Sequence, residues 1–177
     1  MIDEQKIINN IVNGDAESYR LLVEKYQNPV IRMIRNIVND NHTSEDIAQE
    51  VFLAAYKKLA TFDNMRSKFS TWLFTIARNK SLNVIKKKKT QTVEEISEIA
   101  EYKRGDELEK QEFLIELDKQ MHSLPKNQKT VFVLSEFEKL SCEEIAKIER
   151  VREGTIRTRL HRAKRKLAKA LGLDWEL

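Results

Sequence analysis

The chain has 177 residues, of which 34 % are charged, and its formal net charge is +4. Its single cysteine, Cys142, excludes an internal disulfide; three scattered histidines do not suggest a metal site; and no apolar run approaches the roughly 18 residues of a membrane span. With no signal-peptide pattern in MIDEQKIINN, these features predict a soluble cytoplasmic protein with no metal, no cofactor and no membrane segment.

Helical spacing of apolar residues dominates the first half of the chain, where glycine and proline are rare. A first stripe stops at Gly14 and a second is predicted to end before Pro29, with a third helix following from Val30. Ser44 resembles an N-cap, which places Glu45 and Asp46 in the favourable first turn of a helix running to about residue 59. Residues 61–70 are predicted to form a loop, and residues 71–85 another helix.

The charge pattern then changes sign. Residues 64–93 contain eight bases and no acid, whereas residues 94–118 contain ten acids and three bases. We interpret residues 90–105 as an acidic, flexible linker, which such a composition keeps extended and soluble. Helices are predicted at about 106–122, 126–138, 142–149 and 153–171. The expected fold is therefore all-α, with two small helical domains at residues 1–89 and 106–177.

A helix-turn-helix is predicted near the C-terminus. Ser141 and Glu144 match a capping box ahead of a short helix, and a long basic helix follows after a tight break. Ten bases and two acids lie between Lys147 and Lys169. Such an excess favours nucleic-acid contact over a merely solvated face, which usually mixes charge signs. Arg157, Thr158, Arg159 and Arg162 occupy the part of the helix that would read bases in a major groove.

Two further patterns precede the linker. Asp46, Gln49 and Glu50 share one polar helix face beside Phe52, which suits either a docking surface or an ordinary solvated face, the latter being favoured on spacing alone. In RSKFSTWLFTIARNKSLNVIKKKK, aromatic residues and amides alternate with bases, a mixture that suits unpaired nucleotides. Most of the aromatic and apolar residues here, among them Trp72 and Phe74, are expected in the core, so Asn79, Asn83 and the preceding loop are the better candidates.

Together these stretches resemble the extracytoplasmic-function (ECF) group of bacterial RNA polymerase sigma factors. The resemblance covers almost the whole chain, through NGDAESYRLLVEKY, EDIAQEVF, FSTWLFTIARN, LPKNQKTVFVL, EEIAKI and EGTIRTRLHRAKRKL. It implies a promoter-specificity subunit, not an enzyme, that binds core RNA polymerase, directs it to promoters and helps to open the −10 element. It also implies that an anti-sigma factor or another regulatory protein holds the chain silent.

The resemblance assigns residues to three surfaces. Those expected to dock on the clamp helices of the polymerase β′ subunit are Asp46, Gln49, Glu50 and Phe52. Those expected at the melted −10 non-template strand are Asn64, Arg66, Ser67, Lys68, Phe69, Asn79, Lys80, Asn83, Lys86 and Lys87, with the loop forming a pocket for a flipped-out base. Those expected at the −35 duplex are Arg152, Thr155, Arg157, Thr158, Arg159, Arg162 and Arg165, in a domain that also contacts the β flap.

The chain departs from the family at the turn of the helix-turn-helix. Glycine and a small polar cap are usual there, but Arg150 and Arg152 take their places. A left-handed Arg150 would cost about 1 kcal/mol relative to glycine, and the missing cap costs a similar amount. Lys129, where the family often has arginine, is a milder change. The additional charge suggests a domain that grips phosphates more and reads bases less, with another factor helping to choose the promoter.

Two other classes of function compete with this interpretation. A free-standing helix-turn-helix regulator explains residues 124–171 but leaves EDIAQEVF, Asn79 and Asn83 without a role. A nuclease or nucleotidyl enzyme would need clustered carboxylates for metal ions, whereas the acids here lie in the docking face or the linker.

Overall fold

The computed structural model describes residues 4–89 and 108–173. These residues form helices without a strand, which confirms the all-α prediction, and the predicted linker at 90–105 lies outside them. The chain divides into two compact units, centred on the helices of the first and the second range respectively. The helices are α1 (Glu4–Val12), α2 (Tyr19–Val38), α3 (Asn41–Lys58), α4 (Phe69–Lys89), α5 (Leu108–His122), α6 (Lys126–Phe132), α7 (Cys142–Glu149) and α8 (Glu153–Leu171).

Helix α2 continues through Pro29, so the predicted break before this proline is wrong. Proline removes one backbone hydrogen bond and crowds the preceding turn, which costs about 3 kcal/mol in a helix interior. The buried residues explain why the helix tolerates this cost. Leu22, Tyr26, Val30, Met33, Ile34 and Ile37 form one helical stripe that spans the proline. A break at Pro29 would misalign half of this stripe with α3 and α4, against which α2 packs.

Helix α3 begins earlier than predicted, and its N-cap is Asp40 instead of Ser44. The Asp40 carboxylate accepts a hydrogen bond from the backbone N–H of Thr43 at 2.6 Å. Asn39 adopts the left-handed conformation that ends α2, so the chain reverses at once. Ser44 is fully buried inside the helix, where its hydroxyl donates to the Asp40 carbonyl.

An aromatic cluster in the first unit surrounds Phe69, the first residue of α4. Phe69 packs against Tyr26, Phe62 and Trp72 with ring centroids 5.5–5.7 Å apart. Contacts of this geometry add about 0.5–1.5 kcal/mol each beyond the burial of area. The cluster therefore fixes the start of α4 against α2.

The second unit is built around the inner face of α8. Its core contains Met121, Leu124, Phe132, Val133, Ala163 and Leu167, with Leu160 and Leu171 packed at the edge. Helix α6 continues into a π-helical turn at Val133–Phe137, after which Lys139 takes a left-handed conformation. Lys164 on α8 pairs with Glu136 in this turn at 2.8 Å. The interior of this unit thus orients α8 about its own axis.

Lys129 is a buried base in α6, with 8 % of its surface exposed. Burial lowers the pKa of its ammonium group, and the charge of Asp118 partly opposes that effect. The methylene stem therefore packs in the core, and burial of the compact ammonium charge carries an electrostatic cost. Arginine spreads the same charge over a planar guanidinium group, so the two residues are not equivalent at this position.

We expect Pro29→Ala to raise the free energy of unfolding by about 1–2 kcal/mol, because alanine restores the backbone N–H and removes the ring clash. Urea denaturation of the full chain, followed by circular dichroism, measures this change. Pro125→Ala is the matched control, since Pro125 precedes the first turn of α6, where no helical N–H is lost. A stability that falls with Pro29→Ala would show that the proline ring itself is needed in the packing of α2.

Candidate nucleic-acid and partner interfaces

The outer face of α3 carries the predicted docking residues. Asp46, Gln49 and Glu50 are exposed on successive turns of one face. Phe52 differs from them, because its side chain is packed inward and only 9 % of its surface is exposed. The structure therefore brings the three polar residues together on the surface, whereas Phe52 packs in the core on the inner side of α3.

A half-buried tyrosine, Tyr19, is hydrogen-bonded to this part of α3. The Tyr19 hydroxyl donates to the Phe52 carbonyl at 2.6 Å, and its ring meets the edge of Tyr56 at 5.0 Å between centroids. Burial raises the pKa of Tyr19 well above its usual value, so the hydroxyl remains a donor throughout the physiological range. Tyr19 thus holds the backbone of the face at a fixed distance from α2.

Two apolar side chains extend the exposed face of α3, and neither was predicted from the sequence. Leu53 is 55 % exposed and Tyr56 is 41 % exposed. They lie one turn beyond Gln49 and Phe52, so helical spacing could have found them. A polar patch bordered by exposed apolar side chains suits a protein partner better than a purely solvated face does.

The loop before α4 is organised by Asp63, another residue that the sequence reasoning missed. Its carboxylate accepts the Met65 N–H at 2.9 Å and pairs with Arg66 at 3.2 Å, while its carbonyl accepts the N–H groups of Arg66 and Ser67. The turn projects Asn64, Arg66 and Lys68 outward, and Met65 at its tip is 90 % exposed. An aspartate followed by asparagine was the available signal for such a turn.

Phe69 does not lie on this surface, although the family resemblance placed it among the DNA-binding residues. Only 3 % of the residue is exposed, because its ring is the centre of the aromatic cluster with Tyr26, Phe62 and Trp72. A nucleotide could stack on Phe69 only if this cluster opened. The remaining loop candidates keep their exposed or half-exposed positions.

The outer face of α4 presents amides and bases. Asn79 and Lys80 are partly exposed, and Asn83, Lys86 and Lys87 are exposed on the following turns. The opposite side of the helix is buried at Ala77 and Ser81. The two asparagines therefore lie one turn apart on one accessible ridge.

An ion pair joins the surfaces of α3 and α4. The Lys80 ammonium lies 2.8 Å from the Glu50 carboxylate, and both groups are partly exposed to solvent. Exposed pairs contribute about 0–1 kcal/mol to stability, so this contact does not hold the unit together. The contact does, however, place Glu50, a predicted polymerase-docking residue, beside Lys80, a predicted DNA-binding residue.

Helices α7 and α8 form the predicted helix-turn-helix. The Ser141 hydroxyl accepts the Glu144 N–H at 3.2 Å, and the Glu144 carboxylate accepts the Ser141 N–H at 2.8 Å, which confirms the capping box. Arg150 ends α7 in the left-handed conformation with φ 54°, and Arg152 occupies the N-cap of α8 without a side-chain hydrogen bond. The turn thus has the strained residue and the missing cap that the sequence indicated.

One stripe of α8 is buried, and this burial determines which side of the helix faces the solvent. Ile156, Ala163 and Leu167 are completely buried. The residues predicted to contact duplex DNA lie elsewhere around the helix: Arg152, Thr155, Arg157, Thr158, Arg162 and Arg165 are exposed and Arg159 is half-exposed. The structure therefore gathers all seven on one accessible, strongly basic surface.

The described residues give no sign of a metal centre. Within 4–89 and 108–173, no three histidine, cysteine, aspartate or glutamate side chains lie together as a metal site would need. Over the same ranges, no helix combines the length and apolar character needed to cross a membrane.

We expect Arg150→Gly to stabilise the full chain by about 1 kcal/mol, because glycine adopts the left-handed conformation without a side-chain penalty. Arg152→Ser should add about 1 kcal/mol by supplying the missing cap. Thermal and urea unfolding measure both. Arg165→Gly, at an ordinary helical position of α8, is the control and should destabilise by about 1 kcal/mol. A loss of stability with Arg150→Gly would mean that the arginine makes a compensating contact.

Comparison with known proteins identifies the family. The family model for sigma-70 region 2 matches residues 22–91, and that for sigma-70 region 4 matches residues 114–167. The RNA polymerase sigma-H factor of Pseudomonas aeruginosa is 34 % identical, covering 95 % of this chain and 93 % of its own length. The ECF sigma factor SigW of Bacillus subtilis is 32 % identical, covering 94 % and 96 %.

Solved structures agree in fold. The sigma factor RpoE of Bartonella quintana, solved with the anti-sigma factor NepR, superposes with a TM-score of 0.75 at 22 % identity, over 90 % of this chain and 99 % of that one. CnrH, solved with the cytosolic domain of CnrY, gives a TM-score of 0.67 at 21 % identity, over 96 % and 97 %. With two relatives above 30 % identity over nearly their full length and both sigma-70 regions matched in order, the chain belongs to the ECF group of RNA polymerase sigma factors.

Proposed function

We propose that this sigma factor docks on core RNA polymerase through the outer face of α3. The face presents Asp46, Gln49 and Glu50 to solvent, and Leu53 and Tyr56 extend it with apolar area. Polar side chains around an apolar centre are the usual composition of a protein interface. The clamp helices of β′ are the proposed partner, and Phe52 contributes by holding the face in shape.

The ridge of α4 is the proposed reader of the melted −10 element. Asn79 and Asn83 can donate to and accept from the edges of unpaired bases, while Lys80, Lys86 and Lys87 are placed for the phosphates of the same strand. The ordered turn held by Asp63 would bound the pocket for a flipped-out base. Phe69 takes no part in the binding, because it is buried.

Helix α8 is proposed to enter the major groove of the −35 element. Its first turns present Thr155, Arg157 and Thr158, and Arg162 and Arg165 follow on the outer arc, where phosphates pass. The same unit is proposed to rest on the β flap. The protein would thus contribute binding and no chemistry of its own, working in the cytoplasm beside the polymerase.

An anti-sigma protein is the proposed regulator. Two structures of the same fold were solved with an anti-sigma factor or the cytosolic domain of a partner protein. A regulator that covered the outer face of α3 would compete directly with the polymerase.

The alternative is a free-standing helix-turn-helix regulator. That function needs the basic surface of α8 alone, and it gives no role to the outer faces of α3 and α4. The observation that favours the sigma function is that one unit presents both faces side by side, joined at Glu50 and Lys80.

The direct test is association with core RNA polymerase. The full chain should co-elute with core enzyme in gel filtration, and the complex should select promoters from a random duplex library and transcribe them. Failure to co-elute, together with duplex binding by the free chain, would support the alternative.

Asn79→Ala should reduce promoter opening roughly tenfold, because one base-reading amide is lost, while binding of the closed duplex changes little. Opening is followed by permanganate reactivity of unpaired thymines on a selected promoter, and duplex binding by a mobility shift. Asn10→Ala, at an exposed asparagine of α1 that belongs to none of the three surfaces, is the control. Equal losses in both assays would show that Asn79 does not act on the melted strand.

A further inference from the structure

Arg157 on α8 is already held by a neighbouring carboxylate. Its Nη2 donates to Oε1 of Glu153 at 2.7 Å, and its Nε donates to the same oxygen at 3.2 Å. Both side chains are well exposed, at 72 % and 42 %. The pair therefore lies on the open surface of the helix, and Glu153, unlike Arg157, is absent from the set of residues assigned to the −35 duplex.

The geometry leaves the working edge of the guanidinium accessible. An arginine fork has five N–H donors, and Glu153 engages one on Nε and one on Nη2. The other hydrogen of Nη2 and both hydrogens of Nη1 point away from the carboxylate. That far edge is the one that can donate to guanine O6 and N7 together. Glu153 thus occupies one edge of the fork and presents the other.

The ordinary explanation for this contact is helix stability. Residues four apart on a helix pair readily, and such an exposed pair stabilises a helix slightly. Glu153 also stands in the first turn of α8, where a carboxylate suits the helix dipole and Arg152 provides no cap. Donation from both Nε and Nη2 to one oxygen has a further consequence, because it keeps that oxygen near the plane of the fork and so restricts how the fork is oriented.

We propose that Glu153 is a specificity-determining residue of the −35 surface, which positions the Arg157 fork for guanine and keeps it off the phosphates. The inference rests on the proposed placement of α8 in the major groove. A fixed fork enters the groove with its rotamers already restricted, so less freedom is lost when a base is bound. The negative charge of Glu153 also disfavours approach of the same fork to a backbone phosphate. Hydrogen bonding to Glu153 raises the pKa of Arg157 further, so the fork stays charged.

The test compares base preference among variants of the full chain in complex with core polymerase. A duplex library randomised across the −35 element is selected with the wild-type complex, and Arg157→Ala identifies the position that Arg157 reads. At that position, Glu153→Gln and Glu153→Ala should lower the preference for guanine about threefold to tenfold. Binding to unrelated duplex should become tighter, with a steeper salt dependence. Adding Glu153→Ala to Arg157→Ala should change the preference no further.

The controls separate specificity from charge and from folding. Glu143→Ala removes an acid from α7 and changes the net charge equally, so it should leave the base preference unchanged. Melting curves show whether each variant is folded. A uniform change in affinity with an intact preference would overturn the inference and leave Glu153 a structural residue. No effect of Arg157→Ala on any base preference would instead overturn the placement of Arg157 in the groove.

Discussion

The buried apolar stripe of each helix determines which side chains the protein can offer to a partner. Complete burial of an aliphatic side chain contributes about 1.5–3 kcal/mol, whereas an exposed ion pair contributes about 0–1 kcal/mol. The orientation of α8 about its axis therefore follows from Ile156, Ala163 and Leu167, and its arginines occupy what remains. Apolar burial also explains why α2 continues through Pro29, because the stripe that packs on α3 and α4 must stay continuous.

Features set by neighbouring residues could be predicted from the sequence. The capping box at Ser141, the bounds of α8 and the left-handed Arg150 all depend on interactions within a few residues. Features set by packing could not. Pro29 is tolerated for reasons that lie on other helices, and Phe69 lies in the core because Tyr26 and Phe62 surround it. Asp40 was missed because Ser44 offered an equally good local cap.

The turn of the helix-turn-helix shows how stability and recognition are balanced in this chain. Arg150 and Arg152 cost about 1 kcal/mol each relative to glycine and a small polar cap, and in return they add charge beside the proposed duplex. Charge alone favours contacts with phosphates, which carry no sequence information. The Glu153–Arg157 pair acts in the other direction, because it fixes one fork in an orientation suited to a base. Base reading would then depend on a few oriented residues on a surface whose other charges bind phosphates without regard to sequence.

The proposed function gives one chain a polymerase-dependent strand reader on α4 and a separate duplex reader on α8. The most direct measurement is photocrosslinking from a benzophenone group placed at residue 83 or residue 158 of the full chain, on a promoter selected by the complex. We expect residue 83 to crosslink to the non-template strand of the −10 element only when core polymerase is present, and residue 158 to crosslink to the −35 duplex in the same complex. If residue 83 gave no crosslink in the presence of polymerase, or crosslinked equally well to closed duplex without polymerase, α4 would not be a polymerase-dependent strand reader.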